Sequence, residues 1–368
     1  MHRSDLETRE LGGRRKSVDP SRLGDAAHRG EEQPVVSFRG PLVDRFGRTH
    51  TDLRISVTDR CNLRCLYCMA AEGVEFRPHS AILSFEEIER FVRVAARLGI
   101  GKVRITGGDP LVRRGVLHLV EMLAALPEIR DLAMTTNAVL LEEYAHRLKA
   151  AGIHRLNISL DTLDRKRFEQ ITRRDELPRV LRGIEAACRA GFRQIKLNAL
   201  AIRGRTEKEI VPLARFARDY GLELRFIEFM PLDAARQWRS DQVLPGHEIL
   251  EILRENLGPI EAVVPDVPGA PASVYRFADG RGRVGVIATV TEPFCDQCGR
   301  LRLTAEGKLR NCLFATDEWD ARPLLRDGGT DDEIAQLLLA AVGAKKKAHG
   351  TDTGEFAAPE QSMHQIGG

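Results

Sequence analysis

The sequence predicts an α/β fold: a partial, TIM-like barrel of six strand–helix units, followed by a C-terminal extension with a cysteine cluster of its own. Three observations carry this. Between residues 53 and 229, short β-prone runs alternate with helical patterns, and that order implies parallel strands joined by right-handed crossovers. Six such units can be counted, two short of the eight that close an ordinary barrel. Several strand runs also alternate polar with apolar residues, whereas buried parallel strands usually read as continuous apolar runs. The expected division is 1–40 as an extension without fixed structure, 41–232 as the barrel, and 233–368 as the region of the second cysteine cluster, ending in Gly-Gly.

The strands are expected at Leu53–Thr58, Lys102–Thr106, Leu132–Thr136, His154–Leu160, Gln194–Ala201 and Leu222–Phe229. Between the first two, Ser84–Leu98 puts Phe85, Ile88, Phe91, Val92, Ala95 and Leu98 on one helical face. Ser84 with Glu87, and Thr206 with Glu209, have the spacing of a capping box and predict helix starts.

Alternation gives the strands two unlike faces. Arg54, Ser56 and Thr58 share one face, as do Lys102, Arg104 and Thr106, then Arg155, Asn157, Ser159 and Asp161, then Gln194, Lys196 and Asn198. Their partners Ile55, Val57, Val103, Ile105, Leu156, Ile158, Ile195 and Leu197 are apolar and are expected to meet the helices. An ordinary barrel fills its lumen with Val, Ile and Leu; here the lumen must bear cations. An unpaired buried ion costs several kcal/mol, so these cations call for an anionic ligand. After the second strand comes Thr106-Gly-Gly-Asp-Pro110, at the strand end where barrel sites lie. Its glycines are expected to let a ligand approach the backbone.

Past Pro231 the alternation stops. A helix is expected near Gly246–Asn256, short strands at Ser273–Phe277 and Arg283–Ala288, and a capped helix from Thr330, with Glu333 three residues on. The run Lys345–Lys347 reads as a solvated helix end, where cations complement the dipole. Residues 1–40 lack apolar periodicity. With seven basic and seven acidic residues up to Glu32 they resemble neither a transit peptide nor a signal peptide.

Composition narrows the class. A net charge of +3 over 368 residues is too small to argue for nucleic acid as a partner, and no apolar run approaches a membrane span. Six of the seven cysteines fall into two triads, the pattern of a cytosolic metal protein rather than a disulfide scaffold. The seventh, Cys188, reads as a small buried helix residue.

The triads carry the chemistry. Cys61, Cys65 and Cys68 are spaced C-x3-C-x2-C, and Cys295, Cys298 and Cys312 are spaced C-x2-C-x13-C. A structural zinc site is closed by four protein ligands, and an iron–sulfur cluster is normally held by four cysteines. Each triad stops at three, so each reads as a cluster that presents one open iron to a ligand.

The first spacing, with Tyr67 just before its last cysteine, resembles the signature of the radical S-adenosylmethionine (SAM) superfamily. That resemblance implies a 4Fe-4S cluster whose open iron binds SAM, and reductive cleavage of SAM to a 5'-deoxyadenosyl radical. The superfamily has a Gly-Gly-Glu-Pro-like motif where this chain has Gly107-Gly108-Asp109-Pro110. The second triad, the stretches Gly299-Arg-Leu-Arg302 and Lys308-Leu-Arg-Asn-Cys-Leu-Phe314, and the Gly367-Gly368 terminus resemble the molybdenum cofactor biosynthesis protein A family, the GTP 3',8-cyclases. Gly299 departs from that family, which commonly has Asn or Asp there. What the resemblance implies is a second 4Fe-4S cluster on Cys295, Cys298 and Cys312. It implies SAM contacts from Tyr67, Gly108, Ser159 and Met230, and GTP contacts from Arg54, Arg104, Thr135, Lys196, Arg300, Leu301 and Arg302. Gly367 and Gly368 resemble a plug that reaches into the active site. The implied reaction takes the 3'-hydrogen of the GTP ribose and joins C3' to C8 of the guanine. A protein reductant and a cytoplasmic setting go with it, and a homodimer is open. Two alternatives stand beside this reading: a radical enzyme that modifies peptides and carries an auxiliary cluster, and a double zinc-binding interaction module.

Overall fold

A computed structural model describes residues 40–368, apart from 235, 265–268, 351–355, 357–358, 360 and 368. The expected N-terminal extension, Gly40 excepted, and the last glycine, Gly368, lie outside the described residues. All six expected strands form: β1 (Asp52–Ser56), β2 (Lys102–Thr106), β3 (Asp131–Thr136), β4 (Arg155–Ser159), β5 (Ile195–Ala201) and β6 (Glu223–Glu228). They lie side by side in chain order, and every neighbouring pair is parallel.

Helices return the chain between them. The first, α1 (Phe85–Arg97), starts on the expected capping box: Glu87 N donates to Ser84 Oγ, and Ser84 N to the Glu87 carboxylate. Thr206 does not cap in this way. Its backbone is already helical and its hydroxyl is spent on Ile202, accepting from the amide and donating to the carbonyl. Glu209 accordingly turns away to accept from Thr162 Oγ1 and to pair with Arg167. The Thr330–Glu333 box forms.

The C-terminal region extends the same sheet at both edges. Its strands are β7 (Ile260–Val263), β8 (Ser273–Phe277), β9 (Arg283–Ile287), β10 (Arg300–Leu303), β11 (Lys308–Arg310) and β12 (Trp319–Asp320). β9 joins β6 in parallel, and β10 joins β1 in parallel. The sheet therefore runs β12-β11-β10-β1-β2-β3-β4-β5-β6-β9-β8-β7, with eight consecutive parallel strands from β10 to β9. β9 and β10 do not pair with each other, so the barrel stays open between them.

Alternation sorts the side chains as expected. Ile55, Val103, Ile105, Leu156, Ile158, Ile195 and Leu197 belong to one buried apolar core. Each fully buried aliphatic side chain stabilises by about 1.5–3 kcal/mol. The opposite face of the same strands walls a single cavity, and that cavity is where the polar residues collect.

Candidate active site

Register turns the alternation of single strands into a row. Arg302 on β10 stands opposite Arg54 on β1, and Arg54 opposite Arg104 on β2. Neighbouring strands lie about 4.8 Å apart, so three guanidinium-bearing residues share one level of the lumen. Ala133 holds the next place on β3 and leaves room beside them. All three arginines line a cavity of about 380 Å³, as do Thr135, Asn157 and Ser159. Arg54 Nε and Arg104 Nε are buried without a hydrogen-bond partner. Burial, then the charges of Arg302 and Arg104, push Arg54 well below the ordinary arginine range. Burial also lowers Arg104, and brings Arg302 down to about 10. Guanidinium groups keep their proton in proteins, so the row remains an unmet demand for negative charge.

The expectation that every lumen cation awaits a ligand needs correcting. Lys196 Nζ is 3.6 Å from Glu223 Oε1 and does not line the cavity, and burial lowers it to about 8. Arg155 pairs with Asp131, and Arg225, a cavity residue that alternation along β6 would have found, pairs with Glu223.

The first triad follows β1 in a loop that the rest of the barrel grips. Arg64 N and Leu66 N donate to Thr172 O and Ile171 O at the end of the helix α2 (Arg165–Thr172). Arg173, held in the left-handed region at φ 56°, donates to Arg64 O and Met69 O. Burial pushes the Cys61 thiol up to about 11, Cys68 to about 12, and Cys65 well above its usual range. Buried thiolates need a positive partner, and a metal centre supplies one. Tyr67 Oη donates to Asp161 Oδ2 at 2.5 Å, while Asp161 also accepts from Leu200 N.

Gly107 and Gly108 pack closely against the protein's own backbone. A Cβ on Gly108 would lie 2.2 Å from Arg60 O, and one on Gly107 2.7 Å from Thr58 O. Gly108 N donates to Thr58 O and Asp109 N to Arg60 O, which fastens the cysteine loop to β2. Asp109 is buried, and that burial raises it to about 6 against the pull of its donors, Asn137 N, Thr136 Oγ1 and Leu111 N. Asn137 in turn donates through Nδ2 to Cys61 Sγ at 3.4 Å and Asn62 Oδ1 at 2.7 Å. Asp109 thus acts as a buttress for this loop, and Asn137 is a site residue that no sequence pattern announced.

Cys295, Cys298 and Cys312 line the same cavity as the arginine row. Burial works to raise Cys298, but the charges of Arg300 and Lys345 overcome it and hold the thiol near 6. Arg300, expected to face the substrate, donates to Cys298 Sγ at 3.3 and 3.2 Å. Leu301 points the other way, into the core, and does not line the cavity. Lys345 is not solvated: it is 3% exposed and packed against the second triad. Among the described residues no three His, Cys, Asp or Glu side chains gather round a single metal position. Two sets of three soft sulfur donors fit clusters better than a closed four-ligand zinc shell.

The tail joins the two regions. Met363–Ile366 form one helical turn, where His364 Nδ1 lies 3.1 Å from Cys68 O. Ile366 packs with Leu232 and Phe314 beside Met230 and Cys312. Arg302 donates to Gly367 O. Gly367 has φ 71°, and a Cβ there would lie 3.0 Å from Thr106 and 3.2 Å from Ser56, the strand-end pair above Arg54 and Arg104.

The chain is similar to known proteins. Residues 55–217 match the model of the radical SAM superfamily, and residues 222–351 match that of Molybdenum Cofactor Synthesis C. The GTP 3',8-cyclase of Rhodopirellula baltica is 52% identical over 89% of this chain and 92% of its own. The chain belongs to the GTP 3',8-cyclase family. Its relatives in Mycobacterium sp. (strain KMS) and Corynebacterium glutamicum, both GTP 3',8-cyclases, are 48% and 45% identical over 89% and 91% of this chain, and 94% and 91% of theirs. The fold extends beyond the family. Streptococcus suis SuiB bound to S-adenosylmethionine superposes with a TM-score of 0.57 at 15% identity, over 79% of this chain and 68% of SuiB. Among the described residues no helix is long and apolar enough to cross a membrane.

Proposed function

We propose that this chain converts GTP to 3',8-cyclo-7,8-dihydro-GTP, the first step of molybdopterin biosynthesis, as a radical SAM lyase of the cytoplasm. The observation that carries the reading is the buried row Arg302–Arg54–Arg104, which lines a cavity that the second cysteine triad also lines and in which Arg54 Nε and Arg104 Nε have no hydrogen-bond partner. A triphosphate meets that demand, with charge-assisted hydrogen bonds of about 1.5–3 kcal/mol each.

Cys61, Cys65 and Cys68 would hold the cluster that binds SAM, and Cys295, Cys298 and Cys312 the second cluster. When bound, SAM and its cluster supply a 5'-deoxyadenosyl radical that removes the ribose 3'-hydrogen. Tyr67, Ser159 and Met230 line the cavity, which supports reading them as SAM contacts, and Gly108 would join them from the loop it packs against. The chain's own residues fix the triphosphate, aim the ribose and keep out water, which is the protein's share of cofactor chemistry. An external one-electron reductant is required.

A peptide-modifying activity is less well supported, since a neutral peptide leaves the arginine row unmatched. The deciding experiment is anaerobic incubation of iron-loaded protein with SAM, a reductant and GTP. A GTP-derived cyclised product and 5'-deoxyadenosine are expected. SAM cleavage that GTP neither stimulates nor turns into that product would overturn the assignment. Zinc in place of iron in anaerobically purified protein would return the chain to the interaction-module reading.

A further inference from the structure

Lys345 closes the helix α3 (Asp331–Gly343), two residues past its end. A terminal lysine there ordinarily points to water. This one points inward, and its ammonium, which has three protons to donate, finds three acceptors. Nζ lies 2.7 Å from Asn311 O, 2.9 Å from Arg300 O and 3.7 Å from Cys298 Sγ. Asn311 precedes Cys312, and Arg300 follows Cys298 by two residues, so one cation ties together both segments that bear the triad. The remaining cysteine is reached from the other side. Arg48 Nη1 donates to Cys295 O at 2.8 Å and to Lys347 O at 2.9 Å, and Nη2 to Lys346 O at 2.8 Å. Asp44 fixes that guanidinium through Arg48 Nε at 2.6 Å.

The first triad is built otherwise: Cys61 Sγ is met by neutral donors, the Leu63 amide and Asn137 Nδ2. Net charge and hydrogen bonds to sulfur are what set the reduction potential of an iron–sulfur centre. A buried cation on a ligand sulfur favours the state with the extra electron.

We propose that Lys345, braced by Arg48, is a positioning residue of the second triad that seats its three cysteines and makes the centre they hold easier to reduce. This rests on the reading that the triad holds an iron–sulfur cluster. The role is one of charge as well as shape, and that separates it from a packing brace.

The test uses the full-length holoenzyme, purified anaerobically. Iron content and an EPR-monitored redox titration are compared for the unsubstituted chain, Lys345→Met, Lys345→Gln and Lys345→Arg, with added SAM marking the signal that belongs to the first triad. Met and Gln are expected to keep the iron but shift the second signal to lower potential, while Arg leaves it nearly in place. If Met loses the second cluster, Gln and Arg decide: retention by Arg with loss in Gln supports a charge role, and loss in both reduces Lys345 to a shape requirement and overturns the proposal. An unshifted potential in an iron-replete Met or Gln variant also overturns it. Failure of the underlying reading looks different, because replacing Cys298 would then leave the iron content of an otherwise unsubstituted chain unchanged.

Discussion

Arg104 and Lys196 both sit on polar strand faces, yet their surroundings give them different work. Arg104 has a buried, unpartnered Nε beside Arg54, whereas Lys196 already faces Glu223. Replacing Arg104 by Met should therefore weaken GTP binding by about 1.5–3 kcal/mol, roughly ten- to a hundredfold. It should leave the ligand-free chain as stable or more so, since it removes an uncompensated buried charge. Lys196→Met should cost less in GTP affinity but destabilise the free chain, because it takes away one of the cations that face Glu223; calorimetric titration and thermal melting of the two variants check both halves. A drop in both quantities for Arg104→Met would mean that the row is structural. Alternation along single strands made these cations legible, but their pairing was not, because the acid that meets Lys196 lies on the neighbouring strand and only register brings it there. His50 gives a pH signature. Burial, then the charge of Lys345, lowers it to about 4 from an ordinary 6.5, so the fold keeps it neutral. A lowered folded-state value means that stability is complete above about pH 6.5 and is lost as pH falls toward 4. The loss is on the order of 3 kcal/mol for a shift of this size. Asp44, held near 2 against its burial by bonds from Arg48, adds a loss of the same sign at still lower pH. Melting temperatures measured from pH 7 to 4.5 should fall less steeply in His50→Gln than in the unsubstituted chain.

At the scale of elements, the loop with the first triad and the tail illustrate what a linear pattern conceals. Gly107-Gly108 was legible as a place of close approach, but what approaches is the backbone of Thr58–Arg60, a contact between two loops that sequence spacing does not encode. Gly108→Ala should accordingly disturb the cysteine loop before it disturbs any ligand, at a cost of about 1–3 kcal/mol typical of overpacking. Iron content should fall to that of the second triad, with the circular dichroism spectrum unchanged. Full iron loading with weakened SAM binding would instead favour a direct ligand contact. The tail was legible only through its resemblance to a family, since two terminal glycines make no pattern. The contacts of His364, Ile366 and Gly367 with Cys68 O, Phe314 and Arg302 give it a physical basis. Removing Gly367 and Gly368 should leave iron content and melting temperature intact while nearly abolishing the cyclised product; wild-type turnover in the truncated chain would make the tail dispensable.

Over the whole molecule, the six central units were legible because each combines a β-prone run with a helix of matching period. Of the two strands that carry the parallel sheet to eight, β9 was legible as a short strand but not in that place, and β10 was not legible at all. Each is only four or five residues long and reaches its parallel neighbour after an antiparallel hairpin or an irregular cysteine turn, so no strand–helix alternation flags it. Their placement matters for function: β10 brings Arg302 into register with Arg54, directly downstream of Cys298, so the second triad is part of the barrel wall. The second triad thus opens on a cavity that Tyr67, from the loop of the first triad, also lines, and the two triads differ chemically, one with thiols pushed up by burial and one with its Cys298 drawn down by Arg300 and Lys345. Separate replacement should divide the reaction. Cys65→Ser should abolish reductive cleavage of SAM, because the first triad is the one proposed to bind it. Cys298→Ser should leave measurable cleavage to 5'-deoxyadenosine but no cyclised product, since GTP would lose one wall of its site while the arginine row remained. Both readings come from one chromatogram of an anaerobic reaction, with 5'-deoxyadenosine as the first peak to quantify and the GTP-derived product as the second. If Cys298→Ser silenced SAM cleavage as fully as Cys65→Ser, the triads would not be independent and the division of labour assigned to them would be wrong.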